Sequence, residues 1–172
     1  MKAVFLDRDG VINKEVEYLH KAEDFEFIPG VFEGIKTAVS KGYMPVIITN
    51  QSGIGRGYYS EAEYQTLTLW MLEAFKKEGI VIAGVYHCPH GPEAGCACRK
   101  PKPGMIREAA KDLGIDLGAS FLVGDKESDI QAAIAAGIPR HALVRSGHRI
   151  DESKTAATCV ADSLSEAVDC LA

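Results

Sequence analysis

Two aspartates, two residues apart, follow the first apolar run of the chain, in Leu6-Asp7-Arg8-Asp9-Gly10. A turn at the end of a strand could aim both carboxylates at one point. One could then act as a nucleophile or metal ligand while the other transfers a proton. Because an isolated Asp-x-Asp pair is also common in solvated polar turns, the pair indicates such chemistry only together with further polar residues.

Groups that could bind an anion follow in two later segments. One apolar run ends at Thr49 and Asn50 and continues into a glycine-rich loop, whose hydroxyl, amide and N–H groups could hold phosphoryl oxygens. Further on, Arg99 and Lys100 precede a helix start among prolines that stiffen the backbone. The lysine could neutralise phosphate charge, and the arginine could make a bidentate contact. A flexible loop and an exposed basic turn are the alternative interpretations.

A further acidic segment, Gly124-Asp125-Lys126-Glu127-Ser128-Asp129, follows another apolar run. Carboxylate oxygens at such a strand end suit a hard cation such as magnesium, which keeps water and substrate phosphate among its ligands. Asp129 has a second interpretation, because a carboxylate in the first turn of a helix is favourable without any metal.

Three of the five cysteines cluster in one loop, at Cys88, Cys96 and Cys98. An odd count without an export signal argues against a disulfide framework. Together with His90, three thiolates would complete the closed tetrahedral set of a structural zinc site. His87 is the alternative imidazole ligand, and a loop of reduced surface cysteines is the alternative to a metal site. We expect zinc, because this glycine- and proline-rich loop at about 88–98 has no core of its own.

The elements that must position these residues follow from hydrophobic periodicity. Apolar runs rich in β-branched residues predict strands over residues 2–7, 44–49, 83–87, 120–124 and 141–145. Amphipathic stretches predict helices over residues 29–42, 60–77, 103–113, 128–136 and 164–171. The alternation predicts an α/β fold with a doubly wound, Rossmann-like parallel sheet. Ligands bind beyond the carboxyl ends of such strands, so Asp7, Thr49 and Asp125 should converge on one crevice.

Length and composition predict a single domain over residues 1–172, without a large cap insertion. The net charge of −5 comes without a basic stretch, which argues against nucleic acid as a partner. No apolar run approaches the roughly 20 residues that span a bilayer, and the N-terminus does not resemble a signal peptide. We therefore expect a cytoplasmic protein without membrane partners, and the sequence is compatible with a monomer.

The four chemistry-bearing segments together resemble the haloacid-dehalogenase-like phosphohydrolases in order and spacing. That family has Asp-x-Asp after the first strand, Thr or Ser after the second, Lys before a helix, and acidic residues after the fourth. The resemblance implies that Asp7 is the nucleophile and that Asp9 is the general acid and then the base. Thr49 and Lys100 would hold the phosphoryl group. Asp125 would bind Mg²⁺ with Asp7 and the backbone carbonyl of Asp9, and Asp9 should have the higher pKa of the two catalytic aspartates.

The cysteine cluster followed by Arg99 and Lys100 resembles one zinc-loop branch of this family. That branch contains the D-glycero-D-manno-heptose-1,7-bisphosphate 7-phosphatases and the histidinol-phosphate phosphatases. Ser52 and Gly124-Asp125-Lys126 favour the heptose enzymes. Val11 departs from the usual threonine, and the zinc loop is shorter than in many relatives.

The resemblance also implies a set of substrate-binding residues: Glu15, Glu17, Tyr18, Asn50, Gln51, Ser52, Arg56 and Arg99. Glu15 and Glu17 could accept hydrogen bonds from sugar hydroxyls, with an exposed flap as the alternative. Arg99 would recognise the distal phosphate or the sugar, and Arg145 is a second candidate for the distal phosphate. Asn13 is expected to fix the turn, and Trp70 is expected in the core.

The implied activity is magnesium-dependent removal of the C7 phosphate from D-glycero-D-manno-heptose 1,7-bisphosphate, a step towards nucleotide-activated heptose for lipopolysaccharide. The implied partner is a small phosphorylated sugar. Histidinol-phosphate phosphatase is the alternative enzyme. A zinc-binding module with a vestigial active site is the alternative class of protein, against which the intact motifs argue.

Overall fold

The computed structural model describes residues 1–171 and confirms the predicted α/β fold, a parallel sheet with helices on both faces. In this described part of the chain the sheet has six strands, in the order β3-β2-β1-β4-β5-β6. The strands are β1 (Lys2–Leu6), β2 (Tyr43–Asn50), β3 (Gly84–Cys88), β4 (Phe121–Gly124), β5 (Arg140–Val144) and β6 (Cys159–Ala161). All five predicted strands are present, each end within one residue of the expected bound. The three-residue β6 was not predicted, because it is too short to show a periodic pattern.

Among residues 1–171, six α-helices connect or follow the strands, and five of them lie where the sequence predicts a helix. They are α1 (Val31–Ser40), α2 (Ser52–Gly55), α3 (Glu61–Lys77), α4 (Gly104–Leu113), α5 (Glu127–Ala136) and α6 (Leu164–Ala167). The single-turn helix α2 was not expected, and the predicted last helix changes after α6 into a 3₁₀ turn, Val168–Cys170. Two further 3₁₀ turns are Ala22–Asp24 and Leu117–Ala119.

Local signals at the helix ends explain several of these boundaries. Ser60 and Glu63 form the predicted capping box of α3, each side chain pairing with the other residue's backbone N–H at 3.0 Å. Gly114 and Gly137 follow α4 and α5 in the left-handed conformation, as predicted for glycine C-caps.

The strand residues alternate between two hydrophobic cores, one on each face of the sheet. Val4 and Leu6 of β1 pack into the core on the side of α1, α3 and α6, while Phe5 packs into the core on the side of α4 and α5. Because β1 lies in the middle of the sheet, both of its faces are covered and Val4 to Leu6 are fully buried. This explains why the strand is a continuous apolar run.

The chain reverses its direction of winding between β1 and β4, which are hydrogen-bonded neighbours. Strands β1 to β3 extend to one side of this point, and β4 to β6 extend to the other. Loops on the two sides diverge here and leave a crevice beyond the carboxyl ends of the strands. Within residues 1–171, no inserted cap domain covers this edge, and no helix is long and apolar enough to cross a membrane.

Candidate active site

The carboxyl ends of the strands bring the predicted residues together around a cavity of about 210 Å³. The predicted site residues that line it are Asp7, Asp9, Glu15, Glu17, Tyr18, Asn50, Gln51, Ser52 and Lys100. Asp125 is fully buried beneath the cavity, and Thr49 is buried at the end of β2, where its hydroxyl accepts a hydrogen bond from Gln51. The convergence of Asp7, Thr49 and Asp125 thus follows from the parallel sheet.

Lys100 lies between two buried carboxylates. Its Nζ is 3.1 Å from Asp7 Oδ1 and 2.5 Å from Asp129 Oδ1, and it also donates to the backbone carbonyl of Ile48. Burial acts to lower the pKa of Lys100, but the charges of Asp129 and Asp7 outweigh it and raise that pKa. The ammonium group is therefore a fixed positive charge at the floor of the cavity.

Burial is the main cause that raises the pKa of Asp7 well above its ordinary value. The neighbouring charge of Asp129 raises it further, and Lys100 opposes both effects. Because burial and a like charge disfavour the ionised form, this position would gain from a bound cation.

Three carboxylates form a group that could hold a metal ion: Asp7, Asp125 and Asp129 offer ligand atoms within 4.8 Å of one another. The donor set fits a hard cation, because all three residues supply oxygen. The two oxygens of Asp125 differ, since Oδ2 accepts hydrogen bonds from His148 whereas Oδ1 is buried without a partner. An unpaired buried carboxylate oxygen is costly, and a cation would satisfy it.

Asp9 has a contrasting environment. Its Oδ1 accepts hydrogen bonds from the Arg8 guanidinium at 3.0 Å and from Asn13 Nδ2 at 3.0 Å, and its Oδ2 accepts from Gln51 Nε2 at 3.1 Å. Burial acts to raise the pKa of Asp9, but Arg8 and these hydrogen bonds outweigh it and lower that pKa. The expectation that Asp9 has the higher pKa was therefore wrong for this structure, because three donors stabilise its ionised form while Asp7 is buried beside Asp129.

The side chain of Tyr59 fixes the orientation of Gln51. Its hydroxyl donates to Gln51 Oε1 at 2.5 Å, which leaves the Gln51 amide nitrogen to donate to Asp9 and Thr49. Burial raises the pKa of Tyr59 to about 12, so the hydroxyl keeps its proton. Gly53 allows this placement, because a Cβ there would overlap the Tyr59 ring.

The loop after β1 forms a flap over one side of the cavity. Arg8 donates to the carbonyl of Leu19 at 3.2 Å, and the ring of His20 stacks on Tyr59 at 5.1 Å between centroids. Tyr18 has a positive φ of 55° and packs against the ring of Tyr58. These contacts leave the carboxylates of the predicted Glu15 and Glu17 at the edge of the cavity, exposed to solvent.

The two predicted arginines lie outside the main cavity. Arg99 lines an adjoining pocket with Cys96 and Lys100, and its guanidinium donates to the carbonyl of His90 at 3.3 Å. Arg56 is exposed after α2. The suggestion that Arg145 binds a distal phosphate is not supported, because its guanidinium is paired with Glu152 and Asp162 on the surface.

The loop after β3 gathers the three predicted thiols around one imidazole. Cys88, His90, Cys96 and Cys98 offer ligand atoms within 4.8 Å of one another, which fits a tetrahedral metal site. The His90 Nδ1 atom lies 3.5 Å from Cys88 Sγ and 3.4 Å from Cys98 Sγ. The alternative ligand His87 is directed elsewhere, since its ring stacks on Tyr64 and pairs with Glu61.

Two pairs of cysteine sulfurs lie close together, against the sequence expectation for the second pair. The Sγ atoms of Cys88 and Cys98 are neighbours within the metal-binding group, which binds an ion only with both thiols reduced, and Cys159 of β6 is paired with Cys170. The second pair joins residues eleven positions apart that only the packing of β6 against the C-terminal turn brings together. Spacing along the sequence could not show this proximity.

Several side chains at the site were not predicted as functional. Asp129, which reaches Lys100, was left between cation binding and a favourable position in the first turn of a helix, and its spacing of four residues from Asp125 is the signal that could have assigned it to the site. Tyr59 and His148 carry no motif. Asn13 fixes the turn as expected but also donates to Asp9. Trp70 is 40% exposed, so its assignment to the core was wrong, although its ring packs on Phe25 and Phe27.

Comparison with known proteins agrees with the resemblance seen in the motifs. The HAD-hydrolase-like family model matches residues 97–167. The chain is 53% identical over 159 residues to the D-glycero-alpha-D-manno-heptose-1,7-bisphosphate 7-phosphatase of Photorhabdus laumondii, covering 88% of this chain and 87% of that protein. It is 44% identical over 172 residues to the D-glycero-beta-D-manno-heptose-1,7-bisphosphate 7-phosphatase of Escherichia coli, covering 95% and 90% of the two chains.

A solved structure extends the likeness over the whole chain. It is the crystal structure of the D,D-heptose 1,7-bisphosphate phosphatase from B. bronchiseptica, complexed with magnesium and phosphate. The TM-score is 0.86 at 34% identity, and the match covers 99% of this chain and 98% of that one. The chain therefore belongs to the D-glycero-D-manno-heptose-1,7-bisphosphate 7-phosphatase family of haloacid-dehalogenase-like hydrolases.

Proposed function

We propose that the chain is a magnesium-dependent phosphatase that removes the C7 phosphate of D-glycero-D-manno-heptose 1,7-bisphosphate. The observation that carries this proposal is the convergence of the buried Asp7 with Lys100, Asp125 and Asp129 at one edge of the sheet. Family membership agrees with it, because the relatives that cover most of the chain are named for this activity.

The geometry supports a first step in which an Asp7 carboxylate oxygen attacks the phosphorus atom. The bond between phosphorus and the C7 oxygen breaks, and this oxygen keeps the electron pair and takes a proton from Asp9. Asp7 then carries the phosphoryl group. Because Arg8, Asn13 and Gln51 hold Asp9 ionised, Asp9 has to exchange one of these donors for the leaving oxygen and gain a proton first.

A water molecule completes the cycle in a second step. It attacks the phosphorus while Asp9 accepts its proton, and the bond from phosphorus to Asp7 breaks to release inorganic phosphate. The low pKa of Asp9 suits this step, because the ionised carboxylate is the form that accepts a proton. Lys100 and the Thr49 hydroxyl would bind the phosphoryl oxygens in both steps.

The carboxylate group fits the proposed magnesium ion. Asp7 and the unpaired Oδ1 of Asp125 would bind it with the backbone carbonyl of Asp9, and Asp129 would hold Lys100 from behind. When bound, Mg²⁺ would supply positive charge between the nucleophilic carboxylate and the substrate phosphate.

Substrate recognition is proposed for the two walls of the crevice. On the flap, Glu15 and Glu17 would accept hydrogen bonds from sugar hydroxyls beside Tyr18. On the opposite wall, the polar run Asn50 to Ser52 would contact the phosphoryl end, and Asn50 already binds the backbone of Lys100. Arg99 would reach a distal phosphate from the adjoining pocket, and the exposed Arg56 would add a further cation.

Zinc is proposed for the group Cys88, His90, Cys96 and Cys98. Gly55 donates a backbone hydrogen bond to the carbonyl of Pro89, so this loop packs against α2 beside the crevice. A tetrahedral ion would hold a loop that otherwise lacks a core. Its role would be to shape the wall where the substrate is selected.

The cellular role that follows is a step towards nucleotide-activated heptose for lipopolysaccharide, carried out in the cytoplasm. The substrate is a small phosphorylated sugar, for which a monomer would suffice, because one chain supplies every residue of the proposed site.

The test is phosphate release by the purified protein from a small panel. It contains both anomers of D-glycero-D-manno-heptose 1,7-bisphosphate and histidinol phosphate, each assayed with and without Mg²⁺. We expect the highest kcat/KM on a heptose bisphosphate and no turnover without a divalent cation. A kcat/KM at least tenfold higher on histidinol phosphate would instead favour the alternative enzyme of the same branch.

A further inference from the structure

The two oxygens of the buried Asp125 have unequal surroundings. Oδ2 accepts one hydrogen bond from the backbone N–H of His148 at 2.9 Å and a second from its ring Nδ1 at 2.5 Å. Oδ1 is buried and has no hydrogen-bond partner. One residue, on the loop after β5, thus engages a single oxygen of the carboxylate and leaves the other unpaired.

The loop that carries His148 is held close to the catalytic turn. Ser146 Oγ donates to the carbonyl of Gly10 at 2.7 Å. Between these contacts lies Gly147, where a Cβ would overlap both Asp125 Oδ2 and the Gly10 backbone. The loop therefore approaches Asp125 as closely as the absence of a side chain allows, and it delivers the His148 ring in a defined position.

The chemistry of the pair sets the direction of the hydrogen bond. An ionised carboxylate can only accept, so the His148 ring donates from Nδ1. With Oδ2 engaged twice, Oδ1 is the oxygen available to a cation. We propose that His148 is a positioning residue, which orients the Asp125 carboxylate so that Oδ1 is directed at the magnesium ion.

The second ring nitrogen of His148 faces the flap. His148 Nε2 lies 3.7 Å from Glu15 Oε1, which is longer than a hydrogen bond. The role assigned to His148 is therefore carried by its Nδ1 contact with Asp125. The flap contact predicts no effect on metal binding.

This inference rests on the proposed function, because it presupposes that the carboxylate group binds magnesium. The test is calorimetric titration of the substrate-free protein with Mg²⁺ alone. His148→Leu keeps the bulk of the side chain and removes the donor, so we expect about tenfold weaker binding. His148→Asn places an amide near the position of Nδ1, so we expect affinity within about threefold of wild type. Glu15→Gln and Arg149→Ala are the controls, both expected to bind Mg²⁺ as wild type does.

A turnover measurement separates positioning from structural damage. In His148→Leu, the Mg²⁺ concentration for half-maximal turnover should rise about tenfold, and excess Mg²⁺ should restore most of kcat. Thermal unfolding without added Mg²⁺ and without a chelator establishes that each variant is folded, and His148→Gln replaces the leucine variant if that one is not. Wild-type affinity in a folded variant without the Nδ1 donor would overturn the inference. Failure of the wild-type protein itself to bind Mg²⁺ would instead overturn the proposed function.

Discussion

The ammonium nitrogen of Lys100 lies 3.1 Å from Oδ1 of Asp7, so the proposed nucleophile and its counter-charge are in direct contact. The two residues are 93 positions apart in the chain, and the end of β1 and the segment before α4 bring them together. Both side chains are buried, and the ammonium group of Lys100 also forms an ion pair with Asp129. The catalytic residues are therefore also part of the electrostatic balance of the core.

Replacement of Lys100 tests this balance. In Lys100→Met the buried carboxylates lose their counter-charge, and we expect the free energy of unfolding to fall by about 3–5 kcal/mol. The double variant Lys100→Met/Asp129→Asn removes one of the uncompensated charges, so it should recover part of the loss. Urea denaturation at pH 7 measures both. If the free energy of unfolding of Lys100→Met lies within about 1 kcal/mol of the wild-type value, the buried cation is not needed for stability.

The nucleophile assignment predicts a severe effect of Asp7→Asn. An amide cannot form the phospho-aspartate, so kcat should fall by about 10⁴-fold or more. Steady-state phosphate release from the heptose bisphosphate measures the effect, and circular dichroism establishes that the variant is folded. Ser52→Ala is the comparison, because it changes a cavity residue outside the covalent step and should affect mainly KM. Substantial turnover by Asp7→Asn would refute the phospho-aspartate mechanism.

The contact between Gly53 and Tyr59 predicts that a methyl group disturbs the site. Gly53→Ala would displace the Tyr59 ring and break its hydrogen bond to Gln51, which positions Asp9. We expect about a tenfold loss of kcat and about 1–3 kcal/mol less stability. The matched control is Gly118→Ala, where a Cβ meets only Asp116 at ordinary contact distance. If the two alanine variants had the same kcat and the same stability, the prediction would be contradicted.

The proposed zinc site predicts a metal content and a stability effect. Protein purified with a thiol reductant should contain about one zinc ion per chain by elemental analysis. A chelator should lower Tm by about 5 °C or more, because metal binding is coupled to folding of the loop. Cys96→Ser should lose zinc, whereas Cys159→Ser, outside the group, should keep it. The proposed site would be disproved if the purified protein contained no zinc and a chelator left its Tm unchanged.

Buried His141 predicts acid sensitivity of the fold. Burial is the main cause that lowers its pKa from 6.5, and its Nδ1 accepts a hydrogen bond from the Thr158 N–H. As pH falls below 6.5, the unfolded chain takes up the proton before the folded protein does. Stability should therefore fall with pH from there down to the lowered pKa, by at most about 1.4 kcal/mol per pH unit. His141→Asn, measured by urea denaturation between pH 7.5 and 5.5, should show a weaker pH dependence than wild type.

Much of the site could be predicted from the sequence, because its motifs occupy strand ends. Parallel strands bring their carboxyl ends to one edge, so Asp7, Thr49 and Asp125 had to converge once five strands were recognised. Residue type and local spacing were enough to predict the roles of the segment around Lys100 and of the clustered thiols. Apolar runs and helix caps such as Ser60 with Glu63 determined most element boundaries, since these signals are local.

The tertiary structure decided what depends on contacts between distant segments. The order of the pKa values of Asp7 and Asp9 is set by burial, by Asp129 and by three converging donors, none of which a motif encodes. The contact of His148 with Asp125 spans 23 residues and depends on how closely one loop packs on another. The sequence by itself determined which residues could do chemistry, and only packing decided which atoms meet, because a hydrogen bond requires a geometry that spacing along the chain does not contain.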